Sequence, residues 1–357
     1  MTLLFAAGDV GGARALLPVA RLAHVRGIKV YALNHGVFRT EGDAGWHWLD
    51  LPAACTQPAD VVLYATSVSD PAALDVAAAA QARGTPLLHM LDNWSSYAAR
   101  LRRASGGPQI LPDIYAVMDQ LAYDEALADG VPEPILTITG HPNLAHISVE
   151  SGQFDRPDEK RTDILFVSEP ARVDSGAADD PAGRGYDEQS VARAVMGALA
   201  NPALGAALGP DPCLHLAPHP REDRSETAAR WQTLAQEIPL PATGPLTISV
   251  VPRDGVRSAL HGATHVIGMS SILLYEAWLL GRPVASIQPG LRGAALRSLS
   301  HRDGLVFCHT ACGVGTAVQT CLRQRPGPAH PGLRQHAAAA GAVLDLLRSH
   351  PALYNNS

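Results

Sequence analysis

The fold class of this chain is decided first by residues 3–27, which read LLFAAGDVGGARALLPVARLAHVRG. The apolar run Leu3–Ala7 ends at a glycine, which predicts a buried strand. Residues 13–26 then place leucine, valine and alanine at helical spacing, and Gly27 closes the predicted helix at a position that favours glycine. A buried strand followed at once by an amphipathic helix is typical of a parallel β-sheet with covering helices.

The same alternation of strand and helix patterns continues along the rest of the chain. Predicted strands cover 28–33, 61–65, 86–91, 114–118, 135–139, 164–167, 214–217, 246–250, 265–268, 283–287 and 305–307, and predicted helices cover 71–83, 120–128, 187–200, 224–236, 271–280 and 333–348. The polar stretch 150–162, ESGQFDRPDEKRT, separates two such series and indicates a linker. We therefore predict an α/β protein with two Rossmann-like parallel-sheet domains facing a cleft, at 1–152 and 162–330, followed by a C-terminal helix and tail at 331–357.

Composition excludes several classes of protein. The chain has 357 residues, of which 46% are hydrophobic and 17% charged, as in globular proteins. A net charge of −6 without a basic patch argues against a nucleic-acid partner. The five cysteines form no CxxC pair and are expected to be reduced thiols of a cytoplasmic protein. No basic leader and no apolar run of about 20 residues appear, although a peripheral membrane contact stays open.

The turn after the first predicted strand is the first candidate site. Its sequence is Gly8-Asp9-Val10-Gly11-Gly12. Glycines allow a ligand to approach the backbone, and a helix start favours an anion, but the spacing matches neither a Walker loop nor GxGxxG. Asp9 is either a local helix cap or an acceptor for sugar hydroxyls, and Gly11 and Gly12 are expected to contact the acceptor substrate.

A second candidate follows the strand predicted at 86–91. Asp92, Asn93 and Trp94 gather at its end. A carboxylate there can take a proton from a hydroxyl nucleophile, and a tryptophan face stacks on a sugar ring. We expect Asp92, or Asp9 in its place, to be the catalytic base, with Asn93 and Trp94 binding the acceptor. The alternative is a helix cap with an aromatic lid.

The second half of the chain carries a histidine between two prolines. His219 stands between Pro218 and Pro220 at the end of a predicted strand, and Arg221 follows. Prolines restrict the backbone and present the imidazole rigidly. Imidazole and guanidinium groups suit a phosphate, so His219 and Arg221 are expected at the donor phosphate. A solvated loop histidine is the alternative.

Two serines at a predicted helix start form the last candidate. Ser270 and Ser271 follow the strand predicted at 265–268, and their hydroxyl and backbone N–H groups would cradle a phosphate. A plain serine cap is the alternative. Glu276, further along the same helix, is placed either at a ribose hydroxyl or as a structural acid.

These motifs resemble those of a known superfamily. Residues 268–290, GMSSILLYEAWLLGRPVASIQPG, are similar to the segment with which GT-B glycosyltransferases grip a sugar nucleotide. Pro218–Pro220 together with Ser270 and Ser271 resemble the HP and Ser-Ser motifs of bacterial sialyltransferases and related Kdo transferases. That resemblance implies that His219 and one of the two serines contact the phosphate of a CMP-activated sugar. The opening strand, glycine turn and helix also resemble the acceptor domain of GT-B enzymes and UDP-sugar 2-epimerases.

The expected function is metal-independent transfer of a sugar, from a CMP-sugar by preference, to a glycan, glycolipid or other hydroxyl acceptor. No cofactor beyond the nucleotide-sugar co-substrate is expected, because no acidic cluster and no DxD motif stands at the predicted strand ends. Two alternatives remain open: a UDP-sugar 2-epimerase or hydrolase on the same fold, and a non-catalytic nucleotide-sugar-binding protein.

Overall fold

The protein is represented by a computed structural model that describes residues 1–66, 70–103, 106–150, 161–209, 211–238, 246–293 and 297–349. The chain forms two compact units: unit 1 comprises residues 1–148 and 331–357, and unit 2 comprises 149–330. The predicted linker at 150–162 lies outside the described residues except at its ends. All five cysteines are free thiols. None of the described helices is long and apolar enough to cross a membrane.

Unit 1 is built on a parallel sheet of seven strands. They are β1 Thr2–Ala6, β2 Lys29–Leu33, β3 His47–Leu49, β4 Val61–Tyr64, β5 Leu87–Met90, β6 Ile114–Val117 and β7 Leu136–Ile138. The helices are α1 Val10–Val25, α2 Gly36–Glu41, α3 Leu51–Thr56, α4 Ala72–Ala82, α5 Gln120–Ala128, α6 Ala145–Glu150 and, from the C-terminus, α15 Gly332–Ser349. The strand order is β3-β2-β1-β4-β5-β6-β7, and every described pairing is parallel.

Unit 2 repeats this plan with six strands. They are β8 Asp163–Val167, β9 Cys213–Ala217, β10 Thr247–Val250, β11 His265–Gly268, β12 Val284–Ile287 and β13 Leu305–Cys308. The helices are α7 Ala171–Ser175, α8 Glu188–Leu199, α9 Gly205–Leu208, α10 Arg224–Glu237, α11 Val256–Gly262, α12 Ile272–Leu279, α13 Arg297–Ser300 and α14 Val314–Arg323. The parallel order is β10-β9-β8-β11-β12-β13.

The central strands have continuous apolar sequences because both of their faces are buried. The central strands β4, β5, β6, β11 and β12 are buried along their whole length, as expected when helices cover both faces of a parallel sheet. The C-terminal helix α15 joins this packing in unit 1, where Val343, Leu344 and Leu347 share a core cluster with Phe5 and Leu16.

In both sheets the order in which strands are added reverses next to the first strand. In unit 1 the chain adds β2 and β3 on one side of β1, and then adds β4 to β7 on its other side. In unit 2 it adds β9 and β10 on one side of β8, and then adds β11 to β13 on the other. Ligands of open α/β sheets bind outside the carboxyl ends of the strands at this reversal. We call these places the switch-point edges of unit 1 and unit 2. The prediction of two parallel-sheet domains is confirmed.

Candidate functional site

Asp9 lies at the switch-point edge of unit 1, directly after β1. Its side chain caps α1 by accepting a hydrogen bond of 3.3 Å from the backbone N–H of Gly12. Partial burial raises the pKa of Asp9, and the neighbouring carboxylate of Asp92 raises it further, against the opposing effects of the Gly12 N–H and Arg100. A half-buried carboxyl with a raised pKa keeps its proton to higher pH than an ordinary aspartate, which suits a group that donates a proton.

Asp92, after β5, is held differently. Its Oδ1 lies 2.6 Å from Nη1 of Arg100, and both side chains are less than one-tenth exposed. A Cβ atom on Gly11 would lie 2.1 Å from Asp92 Oδ2, so the carboxylate packs against the first turn of α1. Burial raises the pKa of Asp92, partly offset by Arg100. The expectation of Asp92 as the base is therefore less well supported than that of Asp9, because the Asp92 carboxylate is buried in an ion pair.

Arg100 belongs to this arrangement, although no sequence motif indicated it. Besides Asp92, its guanidinium donates to the carbonyl of Thr66 at 2.6 Å and to that of Ser95 at 3.1 Å. The loop after β5 is thereby folded back onto the end of β4. The role of Arg100 is to keep the Asp92 charge compensated beside Asp9.

Of the two acceptor-binding residues expected after Asp92, Trp94 is placed differently from the prediction, whereas the acceptor contact of Asn93 stays a prediction. Trp94 is 2% exposed, and its indole N–H donates to both carboxylate oxygens of Asp119 at 3.0 and 3.1 Å. Its ring stacks on His141. The interpretation of Trp94 as an open sugar platform is corrected, because burial removes the ring face from a ligand. Asn93 is exposed, and its Oδ1 accepts from the backbone N–H of Trp94 at 2.8 Å.

A histidine–aspartate pair, absent from the sequence prediction, completes this edge of unit 1. His35, after β2, places Nε2 at 2.8 Å from Oδ2 of Asp70. Asp70 also contributes to the raised pKa of Asp9, so these groups share one edge. The available sequence signal was a histidine directly after a predicted strand, in Asn34-His35-Gly36.

In unit 2, a carboxylate fills the predicted phosphate cradle. Glu169, after β8, accepts from the backbone N–H of Ser270 at 2.8 Å and from its hydroxyl at 2.7 Å. Ser271 caps α12, its Oγ accepting from the N–H of Leu273 at 3.3 Å. Both donors of Ser270 serve Glu169 in this structure, so phosphate binding by Ser270 stays a prediction that requires Glu169 to give way. Burial raises the pKa of Glu169, opposed by the hydrogen bonds from Ser270.

His219 and Arg221 lie after β9, as the sequence predicted. The backbone N–H of Arg221 donates to Nδ1 of His219 at 3.2 Å, which places the proton of the neutral ring on Nε2. Partial burial lowers the pKa of His219, and Arg221 lowers it further. The guanidinium of Arg221 is held by Asp174 through two contacts of 2.7 Å. His219 thus offers a neutral N–H donor, whereas Arg221 already has a carboxylate partner.

Two further polar features of unit 2 concern α12 and β12. Glu276 is 6% exposed within α12, which fits the structural alternative better than a ribose contact. Gln288, after β12, accepts from the Tyr186 hydroxyl at 3.3 Å and donates to the Met269 carbonyl at 3.0 Å. This buried network supports the switch-point edge of unit 2, and no sequence motif indicated it.

Among the described residues, one group has the composition of a metal site. Asp163, Cys213 and His215 bring their ligand atoms within 4.8 Å of one another. They lie at the amino ends of β8 and β9, the edge opposite the switch-point edge, and Arg161 makes an ion pair with Asp163 at 3.4 Å. The Arg161 guanidinium therefore already occupies the Asp163 carboxylate and would compete with a metal ion.

Comparison with solved structures shows the fold. UDP-N-acetylglucosamine 2-epimerase from Methanocaldococcus jannaschii is 12% identical with a TM-score of 0.59, covering 98% of this chain and 99% of that one. The epimerase from Neisseria meningitidis bound to UDP-N-acetylglucosamine is 12% identical with a TM-score of 0.57, covering 98% and 100%. MurG from Acinetobacter baumannii, a GT-B glycosyltransferase, is 15% identical with a TM-score of 0.58, covering 97% and 99%.

This chain has a GT-B-like fold. The similarity extends over nearly the whole length of each compared chain, so it includes both units. The resemblance to sialyltransferases and Kdo transferases is not supported by these structures. No family model and no curated protein matches the sequence.

Proposed function

We propose that this protein is an enzyme of UDP-sugars that inverts the configuration at C2 of the sugar, as a UDP-N-acetylglucosamine 2-epimerase does. One observation carries the proposal: a fold like that of such epimerases places a carboxyl with a raised pKa, Asp9, at the switch-point edge of unit 1. This was the alternative in the sequence analysis, and it takes precedence over transfer from a CMP-sugar.

The chemistry of C2 inversion suits the groups at that edge. The C2–H bond breaks and is re-formed on the opposite face, so one group must take a proton and another must return one. Burial and the neighbouring Asp92 raise the pKa of Asp9, which favours its protonated form more than in an ordinary aspartate. Asp92, paired with Arg100, adds negative charge beside Asp9 and keeps its pKa raised without itself reacting.

Nucleotide binding is assigned to unit 2. His219 supports this assignment, because its neutral ring can donate Nε2–H to a phosphate oxygen at a strand end. Ser270 does not belong to the phosphate contact in this proposal, since Glu169 occupies its donors. No metal ion or cofactor is included in the proposed reaction.

The experiment is product analysis with a panel of nucleotide sugars. Purified protein is incubated with UDP-N-acetylglucosamine, UDP-glucose, GDP-mannose and a CMP-sugar, and the products are separated by ion-pair chromatography. We expect a new UDP-sugar of unchanged mass from UDP-N-acetylglucosamine alone. Release of free UDP and sugar would instead indicate the hydrolase alternative, and binding without turnover of any member would indicate a non-catalytic protein.

Glycosyl transfer is the second candidate, and the likeness to MurG favours it. Here Asp9 would deprotonate an acceptor hydroxyl instead of exchanging a proton with C2. The two functions separate cleanly in the same assay. Transfer needs an added glycan or glycolipid acceptor to consume the donor, whereas epimerisation proceeds without one.

A further inference from the structure

The His35–Asp70 pair is fixed at both of its ends. His35 Nε2 lies 2.8 Å from Asp70 Oδ2, while Asp70 Oδ1 accepts from the backbone N–H of Ala72 at 3.1 Å. The start of α4 therefore orients the carboxylate, and the carboxylate orients the imidazole. With Nε2–H donating to Asp70, the neutral ring keeps Nδ1 as a proton acceptor.

Gly8 leaves space for this pair, and Gly36 lets the backbone of the next loop approach Gly8. A Cβ atom on Gly8 would lie 2.2 Å from Asp70 Oδ2 and 2.3 Å from Cδ2 of His35. Gly36 has a φ of 49°, and a Cβ atom there would lie 2.1 Å from the carbonyl oxygen of Gly8. The N–H of Val37 donates to that same oxygen at 2.8 Å. The loop after β2 is thus pressed against the turn after β1, and the imidazole lies over Gly8.

A purely structural role explains little of this arrangement. The His35 side chain is 42% exposed, and ion pairs this accessible contribute about 0–1 kcal/mol to stability. His35 precedes α2, yet its side chain makes no capping hydrogen bond. An oriented, accessible imidazole at the switch-point edge, beside Asp9, is instead what a proton-transfer group requires.

We propose that His35 is a catalytic residue that exchanges a proton with the sugar ring of a UDP-sugar through Nδ1, and that Asp70 is its positioning residue. This inference rests on the proposed function and supplies the second proton-transfer group that C2 inversion needs. Asp9 is the first.

The assigned step is one proton transfer with its electron pairs balanced. Nδ1 forms an N–H bond with the proton of C2, and the electron pair of the broken C2–H bond becomes a C1–C2 double bond. The UDP leaves C1 with the electron pair of the C1–O bond. In the return step the double bond takes a proton from the Asp9 carboxyl on the opposite face of C2, and UDP adds again at C1. The imidazolium of His35, whose side chain is 42% exposed, then releases its proton to water and the Asp9 carboxylate takes one up, so both groups return to their starting protonation states. Asp70 balances the charge of the imidazolium formed in between.

The test compares His35→Gln and Asp70→Asn with the wild type, using UDP-N-acetylglucosamine. The control is His24→Gln, since His24 is exposed in the last turn of α1. We expect kcat to fall at least 100-fold in His35→Gln and about 10-fold or more in Asp70→Asn, with KM changed less than threefold and the control unaffected. A second readout is carbethoxylation of His35 by diethyl pyrocarbonate, followed by peptide mass spectrometry. UDP-N-acetylglucosamine should protect His35 and leave His24 reactive.

The outcomes distinguish this inference from the proposed function. A wild type that inverts UDP-N-acetylglucosamine while folded His35→Gln keeps kcat within threefold overturns the role of His35 alone. If His35→Gln has a lower melting temperature than the wild type, the kcat of Asp70→Asn is the deciding measurement, because asparagine preserves the shape of the aspartate side chain. A wild type that turns over no UDP-sugar overturns the proposed function and this inference together.

Discussion

Removing Arg100 tests the physical core of the candidate site. Arg100→Met keeps the apolar length of the side chain but leaves the Asp92 carboxylate buried without its cation, 2.6 Å away in the wild type. Deleting one partner of a buried ion pair costs about 3–5 kcal/mol. The carbonyls of Thr66 and Ser95 also lose their donor, which adds to this cost. For a domain of this size, 3–5 kcal/mol lowers the melting temperature by about 6–20 °C.

The pH dependence of the Arg100→Met effect has a definite sign. Burial already raises the pKa of Asp92, and loss of Arg100 raises it further. The folded variant then binds a proton at a higher pH than the unfolded chain does. Its stability therefore falls as the pH rises through the folded-state pKa of Asp92, and the deficit against the wild type shrinks as the pH falls.

The assay is urea denaturation monitored by hydrogen–deuterium exchange of peptides from β1 and β5, with peptides from unit 2 as the internal reference. Arg100→Met/Asp92→Asn is the matched variant, because it removes both charges. We expect it to recover at least about 2 kcal/mol relative to Arg100→Met. If Arg100→Met loses less than about 1 kcal/mol, or if the double variant is no more stable than Arg100→Met, then Arg100 does not compensate a buried charge on Asp92.

Three further predictions concern Ser270, Gly8 and Trp94. Ser270→Ala should destabilise unit 2 by about 1–3 kcal/mol, because buried Glu169 loses a donor, and it should leave the Kd for UDP within twofold. His219→Ala should instead weaken UDP binding about tenfold in calorimetry, and the reverse pattern would return Ser270 to the phosphate site. Gly8→Ala should lower kcat as His35→Gln does, because the new Cβ would separate His35 from Asp70. The control Gly197→Ala should keep its activity, because nothing lies within 4 Å of that Cβ, and equal activities of the two variants would contradict the packing at Gly8. Trp94→Phe should destabilise unit 1 by about 1–3 kcal/mol by removing the hydrogen bond to Asp119, with KM unchanged; a raised KM in a stable variant would return Trp94 to the sugar site.

The architecture was largely predictable because helices and strands leave a local periodicity in the sequence. The helix at 120–128 and the strand at 265–268 were predicted with the observed bounds. The edge strand β3 was not predicted, since three residues, His47–Leu49, are too few to establish an alternation. The amphipathic helix α14 was likewise not assigned.

The candidate site was predictable only where a single segment forms it. Asp9, Asp92 and His219 were found because each directly follows a strand, and parallel strands end at one edge. Glu169 also follows a strand, but its contact with Ser270 depends on the parallel pairing of β8 with β11, which joins residues 101 positions apart. Arg100 pairs with Asp92 only because the loop after β5 folds back, and no local sequence pattern predicts such a fold of a loop.

Exchange of the C2 proton with solvent is the direct signature of inversion at C2. UDP-N-acetylglucosamine is incubated with the protein in D₂O, and the sugar signals are followed by proton NMR. We expect loss of the C2 proton signal in step with the appearance of a second, C2-deuterated UDP-sugar, without any acceptor. An unchanged spectrum after prolonged incubation with folded protein would show that the enzyme does not act at C2.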